Sequence, residues 1–199
     1  MLFPTITFAL FLVLVLAVHT VLLTRPTAWK ASMLAASYVF YGWWDWRFLS
    51  LIWLSTVVDF VAGQAIYASA DQGRRRVWLW CSLTTNLGML GFFKYANFFV
   101  DQFVEGLSSL GITASPGPLG IILPVGISFY TFQTMSYSID IYRRVLKPTD
   151  QLLDFALFVG FFPQLVAGPI VRARDFLNQL ATDDRRPIDS GLATRLILG

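Results

Sequence analysis

The stretch PVGISFYTFQTMSYSIDIYRR, residues 124–144, decides how this chain is read. It is apolar enough to enter a bilayer. Yet it carries Ser128, Tyr130, Thr131, Gln133, Ser136, Tyr137 and Asp140, and it ends on Arg143 and Arg144. Wound as a helix at about 100° per residue, it puts Gly126, Phe129, Gln133, Ser136, Tyr137, Asp140 and Arg144 on one face. Asp140 and Arg144 stand four positions apart, the spacing of a helical ion pair. Polar groups in hydrocarbon cost free energy unless they find partners. This face is therefore expected to look into a bundle interior or an aqueous funnel. A helix–helix contact glued by Gln, Ser and Tyr explains the same pattern. Whether the face lines a passage or braces its neighbours stays open at this point.

The rest of the chain sets the context. Of 199 residues, 56% are hydrophobic and 14% charged, against about 25% charged in ordinary soluble domains. The mean hydropathy is +0.61. An all-α, polytopic membrane protein is the expected class. Candidate spans fall at about 5–24, 28–44, 48–69, 77–93 and 119–140. The fourth is expected to extend through KYANFFVDQF. A twenty-residue helix is about 30 Å long, enough for the hydrocarbon core. The first run has no preceding Lys or Arg and is too long for a signal peptide. Tyr41, Trp43, Trp44 and Trp46 suit an interfacial aromatic belt. A Gly/Ser/Pro loop is expected over 107–118.

Basic residues are clustered. Arg25 and Lys30, then Arg74–Arg76, then Arg143, Arg144 and Lys147 all fall on one side if the N-terminus is outside. The positive-inside rule makes that side cytoplasmic. Arg74–Arg76 lack interleaved aromatics, so no nucleic-acid partner is expected. The segment 152–171 breaks the alternation. A full crossing would place Arg172, Arg174, Arg185 and Arg186 outside, and Pro163, Gly168 and Pro169 interrupt it. A broken, re-entrant segment is expected, covered by protein or bordering a water-filled cavity. From about residue 188 a helix is expected that stops mid-run.

Few residues offer chemistry. Asp59 sits inside the third span, where a carboxylate is a functional candidate by default. A hydrogen bond to Ser, Thr or Asn of a neighbouring helix, such as Asn86, serves as well. His19, the one histidine, is expected to be packed or interfacial. Cys81 is expected to be a small buried hydrophobe, and a lone cysteine makes no intrachain disulfide or Cys-based zinc site. No metal site is expected. There is no phosphate-binding loop, dinucleotide fingerprint or nucleophile elbow.

Six stretches together carry a resemblance. They are MLFPTITFALF (1–11), LAASYVFYGWWDWRFL (34–49), STVVDFVAG (55–63), NLGMLGFFKYANFF (86–99), the opening stretch, and FFPQLVAGPIVRARDFLNQL (161–180). The chain resembles the N-terminal part of a membrane-bound O-acyltransferase of the bacterial alginate O-acetyltransferase branch. The teichoic-acid D-alanylation membrane protein is a more distant likeness. The resemblance implies a ring of tilted helices around a thin partition with a funnel on each face. It implies that an acyl group, expected to be acetyl, passes from a cytoplasmic donor to a hydroxyl outside. The donor would be a thioester such as acetyl-CoA or an acyl carrier, with no bound cofactor. Expected partners are the bilayer and an extracytoplasmic polysaccharide acetyltransferase or polymer-export proteins. The family's catalytic histidine lies in a C-terminal half not present here, and His19 does not match its motif. This sequence is expected to be inactive alone, and no catalytic residue is assigned. Gln133, Ser136, Tyr137, Asp140, Arg144 and Asp59 are the candidates for lining or bracing the funnel. A membrane transporter and a non-catalytic scaffold are the competing readings. A transporter would be expected to show paired interrupted segments, and only one is visible.

Overall fold

The computed structural model describes residues 5–109, 124, 126–168 and 171–182, and every element among them is helical. The helix expected from about residue 188, most of the 107–118 loop and Arg185 and Arg186 lie outside the described residues. Helix α1 (Ile6–Leu22) is capped by Thr5, whose hydroxyl accepts from Phe8 N–H at 3.3 Å. Helix α2 (Pro26–Asp45) opens on Pro26, whose missing N–H is no loss in a first turn. A tight link, with Arg25 N–H bonded to Leu22 O at 2.9 Å, folds α2 back beside α1. Phe8 and Phe11 then meet Phe40, with ring centroids 6.1 and 6.0 Å away. Arg47 clamps Asp45, Nη2 to Oδ2 at 2.6 Å, where α2 passes into α3 (Phe48–Ala68).

Helix α3 is the hub, touching α2, α4, α5 and α6. Among the described residues it is the one helix long and apolar enough to cross a bilayer; Ile6–Leu22 and Leu152–Leu165 are apolar but shorter. Helix α4 (Gln72–Ser109) runs 38 residues without a break, about 57 Å. The expected 77–93 segment is therefore the middle of a longer rod, and its extension through KYANFFVDQF is helical. Only Ser82, Asn86 and Leu90 of α4 are buried. Those three spaced four apart mark the single stripe it turns to α3 and α5.

Helix α5 (Ile127–Tyr142) follows Gly126, which takes a left-handed φ of 80° that glycine permits without strain. Its last turn corrects an expectation. The helix stops at Tyr142, and Arg144 turns off it with φ 62°. Asp140 O accepts from Val145 N–H at 2.9 Å. The guanidinium of Arg144 reaches α3, donating to Tyr67 O at 2.9 Å and Ser69 O at 3.3 Å and lying 5.0 Å from the Tyr67 ring. The Asp140–Arg144 pair is not made, because α5 ends at Tyr142, two residues before Arg144, and the left-handed turn there breaks the i,i+4 geometry. Two bonds to the carbonyl end of α3, where a cation is favoured, hold the arginine in its uncommon backbone conformation instead. Arg75 does the same for α5, donating to Tyr142 O with its guanidinium 5.0 Å from that ring.

Helix α6 (Leu152–Gly160) is short, and Asp154 to Gly160 are all buried. A helix apolar around its whole circumference belongs inside, and α6 is enclosed by α2, α3, α5 and α8. Phe161, with ψ 107°, breaks the helix, and α7 (Phe162–Ala167) starts on a new axis with Pro163 in its first turn. Gly168 ends it; a Cβ there would lie 2.7 Å from Gln164 Cα. Helix α8 (Ala173–Ala181) packs back on α6, Phe176 standing 5.6 Å from both Phe158 and Phe161. The interruption expected near Pro163 and Gly168 is present.

Alongside an apolar core, the bundle encloses polar side chains and leaves large apolar ones exposed. Ser37, Ser55, Thr56, Asp59, Ser82, Asn86, Thr131, Thr134 and Ser138 are fully enclosed. Leu10, Val13, Leu14, Trp43, Trp80, Phe98, Phe99, Phe103 and Phe132 are among many large apolar side chains left exposed. Tyr41, expected in an aromatic belt with Trp43, Trp44 and Trp46, is instead buried against Phe40 at 5.8 Å, while the three tryptophans are exposed. Cys81, expected to be buried, is exposed on α4. It lies one position before the inward Ser82, and one residue of helix rotates it off the buried stripe.

Candidate functional site

Three polar assemblies hold the interior together. The first is a knot of α3, α4 and α5 around Asp59. Its Oδ2 accepts from Asn86 Nδ2 at 2.7 Å, and its Oδ1 accepts from Ser138 Oγ at 3.1 Å and from Ser82 Oγ. The amide oxygen of Asn86 accepts in turn from Ser55 Oγ at 2.7 Å and Thr134 Oγ1 at 3.1 Å. The sequence alone offered Asn86 as a partner for Asp59, and that bond is present. Small polar residues four apart on one helix face, Ser82 with Asn86 and Thr134 with Ser138, were the unused signal for the rest. Small side chains let the three helices approach closely enough for these bonds. Gly63 contributes directly: an added Cβ would stand 3.0 Å from both Tyr137 Cε1 and Ile141 Cδ1.

The second assembly is an ion pair between α2 and α6. Lys30 Nζ lies 2.8 Å from both carboxylate oxygens of Asp154, donating a hydrogen bond to Oδ2. Both residues are buried. Sequence reading treated Lys30 as a topology charge and passed over Asp154. Two opposite charges, each inside an apolar segment, were the available signal. Asp154 also sits in the first turn of α6, where the helix dipole favours an anion.

The third repairs the α6–α7 break. Where a helix stops, its carbonyls and the next N–H groups lose their backbone partners. Gln133 Nε2 donates to Phe158 O at 2.7 Å, and Phe162 N–H donates to Ser37 Oγ at 3.2 Å. Two polar side chains from two flanking helices thus close the two ends of the gap. The loop after α5 is fixed similarly: Thr149 N–H donates to Tyr137 Oη at 3.3 Å, and Gln64 Nε2 donates to Thr149 O at 2.7 Å.

The six candidate residues are not gathered at one point. Asp59 lies in the knot, Gln133 at the break, and Tyr137 between them, its ring 4.5 Å from Phe155. Ser136 is half-buried and bonds to Gln133 O of its own helix at 2.7 Å. Asp140 is half-buried, and Arg144 is exposed at the end of α3. Phe129, drawn onto the same face, is exposed. The buried side of α5 is centred on Tyr130, Thr134, Tyr137 and Ile141 with Thr131 and Ser138 beside them. His19 is half-buried, with Nδ1 accepting from Trp29 Nε1 at 2.8 Å. No group of His, Cys, Asp and Glu suited to a metal ion occurs among the described residues.

These features define a class: a helical bundle with hydrogen-bonded polar groups inside, an apolar exterior and a mended helix break. The chain is 46% identical over 149 residues to the probable alginate O-acetylase AlgI of Pseudomonas aeruginosa, covering 74% of this chain and 28% of that protein. It is 44% identical to the probable alginate O-acetylase AlgI of Azotobacter vinelandii, covering 74% and 30%. The peptidoglycan O-acetyltransferase of Helicobacter pylori is 32% identical over 179 residues, covering 78% and 33%. The resemblance to the membrane-bound O-acyltransferase family rests on these relatives as well as on the motifs. The chain spans about a third or less of the length of the curated relatives it matches. No family model matches it, and no solved structure matches it.

Proposed function

We propose that the chain is an N-terminal part of the membrane domain of a bacterial O-acetyltransferase. On this reading it helps carry an acetyl group from a cytoplasmic thioester to a hydroxyl of an exported glycan. The observation that carries the membrane part is the exposed apolar surface. A soluble monomer rarely leaves a contiguous apolar surface larger than a few hundred Å², whereas here α1, the outer face of α3 and most of α4 are apolar and uncovered. The likeness to proteins named for alginate and peptidoglycan O-acetylation supports the reaction class.

Asp59, Gln133 and Tyr137 act on this reading as braces that fix the helices around the passage. The segment 152–171 enters and returns on one side. Asp154 at its start is tied to Lys30. Leu180 and Thr182, at and just past the end of α8, line a cavity of about 400 Å³ with Trp29, the neighbour of Lys30. The basic groups at that level support placing it on the cytoplasmic side, with the N-terminus outside. An extracytoplasmic acetyltransferase or polymer-export protein takes the acyl group onward.

The decisive experiment restores the whole protein to a bacterium that lacks it and measures acetyl content of the exported polymer by NMR. Restored acetylation is expected; acetyl-free polymer from cells holding normal amounts of the protein overturns the reading. Topology is tested separately. In a Cys81→Ser background, Gln151→Cys and Thr182→Cys should react with an impermeant maleimide from the same side. Labelling from opposite sides removes the re-entrant arrangement.

A further inference from the structure

Most buried polar groups in this interior are partnered; among the exceptions, Arg75 Nε lies at the end of α5, Asp154 Oδ1 beside Lys30 and Tyr38 Oη on α2 near Gly160, and a further group lies closer to α7. Tyr41 Oη, Tyr130 Oη, Thr131 Oγ1 and both amide atoms of Gln164 have no hydrogen-bond partner. All four residues are more than nine-tenths buried. The surroundings of three of them, Tyr41, Tyr130 and Gln164, meet at α7. Tyr41 follows Phe40, whose ring stands 5.2 Å from Phe162 at the start of α7. Gln164 lies two residues further on. Tyr130 stands one turn above Gly126, where an added Cβ would touch Leu165 O at 3.7 Å. Tyr130 and Tyr41 lie within electrostatic reach of each other.

A buried hydroxyl or amide left unpaired costs about 1–3 kcal/mol. Several in one place, beside a helix break whose own backbone groups are carefully satisfied, point to an occupant that supplies the missing bonds. The chemistry of that occupant is constrained. The phenols and the carboxamide donate and accept without charge. The buried ions, Lys30 with Asp154 and Asp59, are elsewhere and already partnered. Lys30 lies about 16 Å below Tyr41 along α2. An anionic or cationic ligand would meet no buried counter-charge here among the described residues. Phe40, Phe162, Leu165 and Ile127 supply apolar surroundings suited to a short alkyl group.

We propose that Tyr41, Tyr130 and Gln164 form a binding site for the carbonyl of a short acyl group, carried as a thioester or an ester. This rests on the acyl-transfer reading and names where the acyl group is held. The hydroxyl and amide N–H groups donate to the carbonyl oxygen, which carries no formal charge and requires no ionised partner. No bond is made or broken at this site, so the residues bind and orient.

The test uses the whole protein in detergent with two probes, S-acetyl-N-acetylcysteamine and its oxygen ester, O-acetyl-N-acetylethanolamine. At least one probe is expected to raise the thermal midpoint in a saturable manner. Stabilisation by the thioester alone marks the donor side, and by the ester alone the product side. Tyr41→Phe, Tyr130→Phe and Gln164→Met should each weaken the response at least tenfold in probe concentration. Their midpoints without probe should be unchanged or higher, since a buried unpaired group has been removed. Wild-type protein that responds to neither probe overturns the inference. So do variants that bind as well as wild type, or whose unliganded midpoints fall as partnered hydroxyls would require. Polymer acetylation by the whole protein is read in parallel. Acetylation without probe binding removes the site and leaves the enzyme reading; probe binding without acetylation removes the enzyme reading and leaves a carbonyl site.

Discussion

The knot around Asp59 and the break between α6 and α7 both bury polar groups among apolar helices, and they do so to opposite ends. In the knot, Ser82, Asn86 and Ser138 converge on one carboxylate, and Ser55 and Thr134 complete the set. Nothing is left to bind anything else. At the break, Gln133 and Ser37 satisfy the backbone, yet the adjacent Tyr41, Tyr130 and Gln164 stay open. A polar residue in an apolar segment is thus no sign of a passage by itself. Completeness of its hydrogen bonding separates mortar from binding surface.

The largest effect belongs to the ion pair that anchors the start of α6. Asp154→Ala leaves the Lys30 ammonium buried without its counter-charge, a loss of about 3–5 kcal/mol. Thermal unfolding in detergent and the amount of protein reaching the membrane both read it. Replacing both residues, Lys30→Met with Asp154→Leu, should recover most of the loss. Failure of that double variant would show that the pair does more than neutralise itself.

Next comes the knot. Asp59→Ala removes the acceptor for Ser82, Asn86 and Ser138 together, and about 3 kcal/mol of destabilisation is expected from these stranded donors. Asp59→Asn keeps one acceptor oxygen and should lose less than half as much. If Asp59→Ala keeps its stability but abolishes polymer acetylation, the knot is not mortar and the comparison collapses. Smaller again is the repair of the break. Gln133→Leu strands Phe158 O and should cost about 1–3 kcal/mol. Ser136→Ala, three residues away on the same helix, should fall within about 0.5 kcal/mol, because its hydroxyl bonds only its own turn. Equal effects at the two positions would remove the special status of the break.

How much of this was legible in the chain depends on the range of the interaction. Long apolar runs marked the helices, and Pro163 with Gly168 marked the interruption, because both are local properties. The Asp59–Asn86 bond was legible as a polar pair on adjacent segments. The use of Gln133 was not, since its partner is a backbone carbonyl 25 residues away that becomes free only when α6 breaks. The polar face of 126–144 was drawn as one surface because helical spacing was assumed to continue to Arg144. The left-handed turn after Tyr142 sends that arginine to α3 instead, and local spacing contains no term for a neighbour's exposed carbonyls. Tyr41 was assigned with Trp43 and Trp44 by composition, though its angular position two and three residues earlier turns it inward.

The smallest effect lies outside the apolar interior and supplies a baseline for the others. Asp71 Oδ2 accepts from Arg74 N–H at 2.9 Å at the start of α4. That bond, then one from Gly73 N–H, holds its carboxyl below the ordinary 3.8. A carboxylate with a folded value lower than its unfolded one adds stability that is complete above the unfolded value. It is lost as pH falls through the folded one. The difference in thermal midpoint between wild type and Asp71→Ala should therefore be constant from pH 8 to about pH 5 and shrink below about pH 4. Asp59→Ala should not show that acid loss in the same titration, because Asp59 is enclosed and held by the neutral donors of Ser82, Asn86 and Ser138 and not by an exposed helix cap. Parallel pH profiles for the two variants would mean that the buried carboxylate acts as an exposed helix cap does, and the contrast between enclosed and surface polarity would have to be redrawn.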